Sequence, residues 1–180
     1  MKVFYSILLV YIMSSCQLKS HNPLDYPVRS SEELAKNLLE SFYDSISDTI
    51  NYPPYYGGMY VDRQNNHFVI YVIGDTLVAK DDLLKRCNGK GFVIYQSQVS
   101  LSNLMDLVKR LEMYISDPLG KKVKLYGIYL DEIHNNVHVI LGDTTSQNIA
   151  QFRTQIMDSP YLVFEQGEGL NVDMEFKRIK

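Results

Sequence analysis

The sequence has few of the residues from which disulfide, metal and nucleic-acid sites are built. Its 180 residues include only two cysteines, Cys16 and Cys87, and no tryptophan. The formal charge is −3, with 18 Lys and Arg against 21 Asp and Glu. No long basic run occurs, so the chain lacks the electrostatic footprint of a nucleic-acid-binding protein. We therefore expect no nucleic-acid partner, no disulfide framework and no cysteine-based metal site.

Long hydrophobic runs are also missing, and the most apolar stretch lies at the N-terminus. It covers residues 3–13, after Lys2, and is followed by Ser14, Ser15 and Cys16. A transmembrane helix needs about 20 apolar residues, so this stretch is too short to span a bilayer. A charged start, an apolar centre and small residues at the end are typical of a signal peptide. We predict a signal peptide over residues 1–15, with a buried core helix as the alternative.

The end of this stretch, MSSC, resembles a bacterial lipobox. That resemblance implies cleavage before Cys16 and attachment of lipid, palmitate included, to this cysteine. The mature chain would have a formal charge of −4 and be anchored in the bacterial cell envelope, at the outer membrane, with the leaflet left open. Residues 16–30 are polar and contain two prolines, which favours a tether. Cys87 then has no partner and is predicted to be a buried free thiol on a helix.

The rest of the sequence predicts an α+β fold with two tandem ββαβ repeats, in which helices pack on one face of antiparallel hairpins. An N-terminal helix over residues 31–50 begins at a capping box formed by Ser30 and Glu33. The first repeat covers residues 56–98 and the second covers residues 123–168. A connecting helix over residues 99–122 lies between them, and residues 169–180 form a C-terminal tail.

The case for repeats rests on one phrase that occurs twice. YGGMYVDRQNNHFVIYVIGDT begins at residue 56, and YGIYLDEIHNNVHVILGDT begins at residue 126. Gly58, Tyr60 and Asp62 match residues 127, 129 and 131. With a one-residue slip in the turn, Asn65 and Asn66 match residues 135 and 136, and VIYQ at 93–96 matches LVFE at 162–165. Shared order and turn chemistry indicate a duplication.

The repeated unit resembles the pro-domains of bacterial chymotrypsin-like secreted proteases, of the alpha-lytic protease and streptogrisin type. The resemblance covers about residues 56–168 and includes a Y-x-S…S-x-x-x-L pattern at Tyr95, Ser97, Ser100 and Leu104. It implies a fold that pairs its sheet with a strand of a protease and acts as its inhibitor or folding catalyst. The sequence contains no nucleophile segment like G-D-S-G, and it looks like a stand-alone, lipid-anchored relative of such a pro-domain.

No residue set predicts catalysis. Asp62 and Asp131 lie where strands enter turns, which favours turn capping over paired-carboxylate chemistry. Asp75 and Asp143 are predicted helix N-caps, with Thr144 or Thr145 as alternatives in the second repeat. His134 and His138 would be about 13 Å apart on an extended strand, too far to share a metal ion. We expect no metal, no cofactor and no enzymatic activity.

Tyrosines beside the hairpins are the best candidates for a binding surface, because tyrosine offers apolar area with a polar tip. The alternative is that these rings belong to an ordinary core. The candidate surface consists of Tyr55, Tyr56, Tyr60, Tyr126, Tyr129, Phe164 and Phe176.

Three functions remain open from the sequence. One is a membrane-anchored protein-binding module that recognises a protein partner, such as a protease, by pairing of the closing strand or the tail. Another is a structural or accessory envelope lipoprotein with no link to proteolysis. The weakest is an enzyme.

Overall fold

The structure is a computed structural model that describes residues 26–65 and 67–168. Its helices and strands follow the order expected from the repeats. In chain order they are α1 (Ser31–Phe42), β1 (Tyr43–Asp44), β2 (Thr49–Ile50), β3 (Tyr56–Asp62), β4 (His67–Val72), α2 (Thr76–Arg86), β5 (Phe92–Gln96), α3 (Leu101–Glu112), α4 (Pro118–Lys122), β6 (Leu125–Asp131), β7 (Asn136–Leu141), α5 (Ser146–Gln155) and β8 (Leu162–Gln166).

Each repeat builds its own three-stranded sheet. In the first sheet the order is β3-β4-β5, and in the second it is β6-β7-β8. The first two strands of each sheet form an antiparallel hairpin, and the third returns parallel to the second. A parallel return needs a crossover, which α2 and α5 supply. The predicted α+β fold with two ββαβ repeats and an N-terminal helix is confirmed.

The predicted N-caps Ser30 and Asp75 are confirmed, but the predicted N-cap Asp143 is wrong, because its carboxylate accepts a hydrogen bond from the Thr145 N–H before the helix begins. Ser30 and Glu33 form the capping box of α1. The carboxylate of Asp75 accepts hydrogen bonds from the first turn of α2, and the Ser100 hydroxyl caps α3. In the second repeat Thr145 caps α5. These side chains satisfy backbone N–H groups that have no partner within the helix.

Two apolar cores form, one under each sheet. The first joins α1 and α2 to the inner face of β4, and the second joins α3 and α5 to the inner face of β7. The largest fully buried side chains are Tyr56, Phe42, Phe68, Phe152, Leu34 and Leu38. Cys87 is a fully buried free thiol in the first core, as predicted.

The N-terminal helix is shorter than the predicted range 31–50. α1 ends at Phe42, and the strands β1 and β2 pair over residues 43–50. The carboxylate of Asp44 accepts hydrogen bonds from the Ile46 N–H and the Ser47 hydroxyl, and Asp48 adopts a φ of 53°. This turn chemistry outweighs helical spacing. Ile46, which lies within the predicted helix range, is 96% exposed.

The connecting segment 99–122 contains two helices instead of one. α3 ends at Glu112, and Pro118 begins α4, with Asp117 as its N-cap. Proline suits the first helical position because its missing N–H would have no helical partner there. The prediction of a single connecting helix over residues 99–122 was therefore wrong.

The fold begins before the predicted end of the tether at residue 30. Tyr26 is buried, and Val28 forms a parallel bridge with Lys90. The signal peptide over residues 1–15, Cys16, most of the tether and the tail over residues 169–180 lie outside the described residues. Within the described ranges, no helix has the length and apolar character needed to cross a bilayer.

Candidate functional site

The strand register fixes which residues of the two repeats correspond. Asp62 pairs with His67, and Asp131 pairs with Asn136, so both turns hold four residues. The predicted slip in the turn is therefore wrong. Phe68 is in register with Phe92, and Val137 with Leu162, so the third strands correspond one residue later than the sequence match suggested.

One face of each sheet packs on helices and the other does not. In β7, Val137, Val139 and Leu141 are fully buried in the second core. Side chains alternate along a strand, so His138 and Ile140 lie on the opposite face. We call this face of the second sheet, away from α3 and α5, its outer face.

A polar cluster occupies the outer face of the second sheet. His138 on β7 is only 9% exposed. Its Nδ1 lies 2.7 Å from Oε1 of Glu165 on β8, and its ring stacks on Tyr129 of β6 with 4.6 Å between ring centroids. The Tyr129 hydroxyl donates a hydrogen bond to the same carboxylate, at 3.1 Å from Oε2. These contacts tie all three strands together.

Asp131, at the end of β6, completes the cluster and caps the turn as predicted. Its carboxylate accepts hydrogen bonds from the backbone N–H groups of Ile133 and His134. Burial alone would raise the pKa of Asp131, but hydrogen bonds from the side chain and backbone of His134 outweigh it and lower this pKa. Asp62 caps the first turn in the same way, through Gln64 and Asn65.

His134 in the turn and His138 on β7 lie much closer together than an extended strand would place them. His134 Nδ1 is 2.6 Å from Oδ2 of Asp131, and His138 Nε2 is 3.2 Å from the same oxygen. The separation of about 13 Å expected for an extended strand is therefore wrong, because the turn folds His134 back. Among residues 26–65 and 67–168, no group of three His, Cys, Asp or Glu side chains is arranged to hold a metal ion.

The first repeat carries a different surface at the corresponding positions. Val69, fully buried, stands where the second repeat has His138, and Tyr95 stands where it has Glu165. Tyr60, Tyr71 and Tyr95 form a row across the three strands, with ring centroids 5.9 and 6.4 Å apart. Of this row, only Tyr60 belongs to the predicted binding surface. Strand alternation in HFVIYV would have placed Tyr71 on the same face.

Two of the predicted surface tyrosines are not surface residues. Tyr56 is 1% exposed and contacts the Phe42 ring in the first core. Tyr55 is half-buried, and its hydroxyl donates a hydrogen bond to Asp82. The pKa values of the Tyr55 and Tyr56 phenols are raised, mainly because both groups are shielded from water. The alternative interpretation, that these rings belong to a core, holds for Tyr56.

The predicted candidates in the second repeat are divided between the two faces of its sheet. Tyr126 and Tyr129 are 44% and 42% exposed. The Tyr126 ring lies over Gly142, where an added Cβ would come within 2.6 Å of the ring. Phe164 faces the helices instead and contacts Phe152 edge-on. Phe176 lies outside the described residues.

The turn between β6 and β7 also joins the two repeats. Asn135 Nδ2 donates a hydrogen bond to the buried Gly57 carbonyl at 2.6 Å, and its side-chain oxygen accepts one from Ser97. The Tyr71 hydroxyl donates to the Ile133 carbonyl at 2.7 Å. A cleft of about 250 Å³ opens beside this joint, lined by Tyr71, Gln96, Ser97, Gln98, His134, Asn135 and Tyr161.

β8 forms one edge of the second sheet, and its backbone groups alternate between β7 and the outside. The Val137 N–H donates to the Tyr161 carbonyl, and the Gly167 N–H donates to the Leu141 carbonyl. Odd-numbered residues of β8 therefore point their backbone groups toward β7, and Phe164 and Gln166 point theirs outward. Within the described part of the chain, no strand pairs with this outward side.

Comparison with known protein families matches both halves of this architecture. The Pro-like N-terminal domain matches residues 25–99, and the Pro-like C-terminal domain matches residues 102–167. The chain is a tandem of two Pro-like domains. The boundary between the two matches falls just before α3, between the first and second sheets. No curated protein matches the chain significantly.

The polar cluster and the β8 edge both belong to the Pro-like C-terminal domain. The Pro-like matches indicate a pro-domain-type module that binds a protein or assists its folding. The expectation that the chain is not an enzyme stays a prediction.

Proposed function

We propose that this chain is a lipid-anchored binding module that recognises a chymotrypsin-like protease through the free edge of β8, and inhibits it or assists its folding. The outward-facing backbone groups at Phe164 and Gln166 carry this proposal. An exposed strand edge is a template for a partner strand, and main-chain hydrogen bonds supply much of the affinity in such pairing.

Two further features support the same edge. Phe164 anchors β8 on α5, with the Arg153 guanidinium 5.2 Å from the ring centroid, so the strand is held in place from its inner face. On the outer face, Glu165 is held by His138 and Tyr129. An edge whose side chains are fixed on both faces loses little conformational entropy when a partner strand adds to it.

The decisive variant is Gln166→Pro, tested with protein that lacks residues 1–21. Proline removes an outward N–H while leaving the bonds between β7 and β8 intact, and edge strands tolerate it. The protein is assayed for binding to, and inhibition of, a set of trypsin-like and chymotrypsin-like serine proteases. We expect at least one to bind, and Gln166→Pro to weaken that binding about tenfold through loss of a backbone hydrogen bond and a steric clash with the incoming strand.

Two matched controls separate the edge from other effects. Gln166→Ala removes the side-chain contact with Thr144 but keeps the backbone N–H. Gln96→Pro makes the same change at the corresponding position of β5, the edge of the first sheet. Both should bind like the native chain. If no protease binds, or if the two proline variants behave alike, edge pairing by β8 is wrong.

The anchor is tested separately in the full chain. A Cys16→Ala variant should lose incorporation of labelled palmitate and leave the membrane fraction when expressed in a bacterium. Equal labelling of the native and variant chains would contradict lipid attachment at Cys16. This outcome would leave the β8 edge proposal untouched, because the two features lie in different parts of the chain.

A further inference from the structure

His138 links the two outer strands of the second sheet across β7. Its Nδ1 lies 2.7 Å from Glu165 on β8, and its Nε2 lies 3.2 Å from Asp131 at the end of β6. The contact at Nε2 is close enough for a strong charge interaction, but its angles are too poor for a hydrogen bond, and Nε2 is otherwise buried without a partner.

The protonation state of the ring follows from these two neighbours. An ionised carboxylate only accepts hydrogen bonds, so Nδ1 must carry a proton to bond Glu165. An unprotonated Nε2 carries a partial negative charge and would be repelled by the Asp131 carboxylate 3.2 Å away, whereas a positively charged ring is attracted to it. Both contacts are therefore favourable only when His138 is a cation. Stacking on the Tyr129 ring favours the same form.

All charged and titratable groups that face His138 belong to this cluster. Asp131 and Tyr129 come from β6, Glu165 comes from β8, and His134 contacts Asp131 from the turn. The lowered pKa of Asp131 keeps its carboxylate charged in the range where imidazole titrates.

We propose that His138 is a proton-dependent clamp that couples β8 to β6 for partner binding: protonated, it holds Glu165 and Asp131 together, and deprotonated at Nε2, it keeps Glu165 but no longer attracts Asp131. This inference rests on the proposed role of the β8 edge. The sign follows directly, because the clamp is complete at low pH and is lost as pH rises. Binding at β8 should therefore be tighter in mildly acidic than in mildly alkaline solution.

The clamp is tested in the chain alone by nuclear magnetic resonance. The ring nitrogens of His138 and the backbone amides of β8 are followed from pH 5 to 8.5, the range in which imidazole changes charge. At the acidic end both ring nitrogens should be protonated. The amides of residues 164–166 should shift with the same midpoint as the ring.

The control variant copies the other repeat. His138→Val introduces valine, the residue that is fully buried at the corresponding position 69 of the first repeat. In this variant the β8 amides should no longer shift with pH. His138→Gln is the second variant if valine impairs folding. His134→Gln removes the exposed neighbour and should leave the titration intact. The clamp is overturned if the β8 amides do not move when His138 titrates, or if they still move in His138→Val.

Binding to a protease found in the edge assay gives the functional readout. The affinity of the native chain should fall at least about threefold between pH 6 and 8, the effect expected for one partly exposed ion pair. In His138→Val the affinity should not vary beyond the protease's own pH dependence. If the β8 amides titrate with His138 but no protease binds, the proposed function is refuted and the clamp is not. If a protease binds through β8 with an affinity that does not change with pH, the clamp is refuted.

Discussion

Replacing Asn135 with glycine should weaken the joint between the two repeats. The Asn135 side chain bonds both the Gly57 carbonyl and the Ser97 hydroxyl, and it is the tip of the second hairpin that reaches the first sheet. A net hydrogen bond contributes about 0.5–1.5 kcal/mol, and a buried acceptor left without a partner costs about 1–3 kcal/mol. We therefore expect Asn135→Gly to lower the free energy of unfolding by about 2 kcal/mol.

The backbone at this position adds a second, separable effect. Asn135 has a φ of 53°, a conformation that glycine and asparagine tolerate and alanine does not. Asn135→Ala should therefore be about 1 kcal/mol less stable than Asn135→Gly, although alanine usually stabilises a chain relative to glycine. Asn65→Gly is the comparison within the first turn, where the Asn65 side chain bonds Asp62.

The assay is urea unfolding followed by fluorescence and circular dichroism, supported by thermal melting. At about 2–4 °C per kcal/mol for a domain of this size, Asn135→Gly should melt about 6 °C below the native chain. Asn65→Gly should stay within about 0.5 kcal/mol, the range of ordinary surface changes. A stability loss for Asn135→Gly no larger than that for Asn65→Gly would refute the reasoning that this turn joins the repeats.

Three further predictions concern the cores and their charges. Burial alone would raise the pKa of Asp82, but hydrogen bonds from Arg86 and Tyr55 outweigh burial and lower this pKa. Ionised Asp82 therefore stabilises the fold at neutral pH, and this stabilisation is lost as the pH falls through the pKa of the folded state. Asp82→Asn should lower the free energy of unfolding by about 1 kcal/mol at pH 7, a modest loss because the Arg86–Asp82 ion pair is partly exposed. In a plot of unfolding free energy against pH, measured by urea unfolding, the variant should lose less stability than the native chain as the solution becomes acidic. Burial raises the pKa of the Cys87 thiol to about 12, so a thiol reagent at pH 8 should label it only after denaturant is added. Phe152→Ala should cost about 3–5 kcal/mol by urea unfolding, because it empties the centre of the second core.

The repeat architecture could be predicted because local patterns and long-range packing agree there. Strand alternation, turn residues and caps such as Ser30 and Asp75 all point to the same elements. The errors arose where two local signals compete. Ile46 and Ile115 continue the helical spacing of their neighbours, yet both are exposed, because turn chemistry ends each helix first.

The candidate site was much harder to predict than the fold. A histidine inside the apolar strand NVHVIL is a visible anomaly, and alternation alone places it away from Val137 and Val139. Its partner Glu165 is 27 residues away and reaches His138 only through the register of a parallel strand pair. Parallel register depends on how the crossover helix packs, which no local pattern specifies. The predicted tyrosine surface, by contrast, included Tyr129, which belongs to the cluster, but it also included Tyr56, which is buried.

The two repeats share one backbone plan but carry different side chains at corresponding positions of their outer faces. Both sheets cover an apolar core on one side. The first repeat has the fully buried Val69 and the exposed Tyr95 at these positions, whereas His138 and Glu165 in the second form a charged cluster at some cost in desolvation. A half-buried charge cluster is weak evidence for stability. Under the proposed binding through β8, this cluster serves recognition, and replacing His138 and Glu165 together with their first-repeat counterparts should preserve folding while weakening binding at the edge.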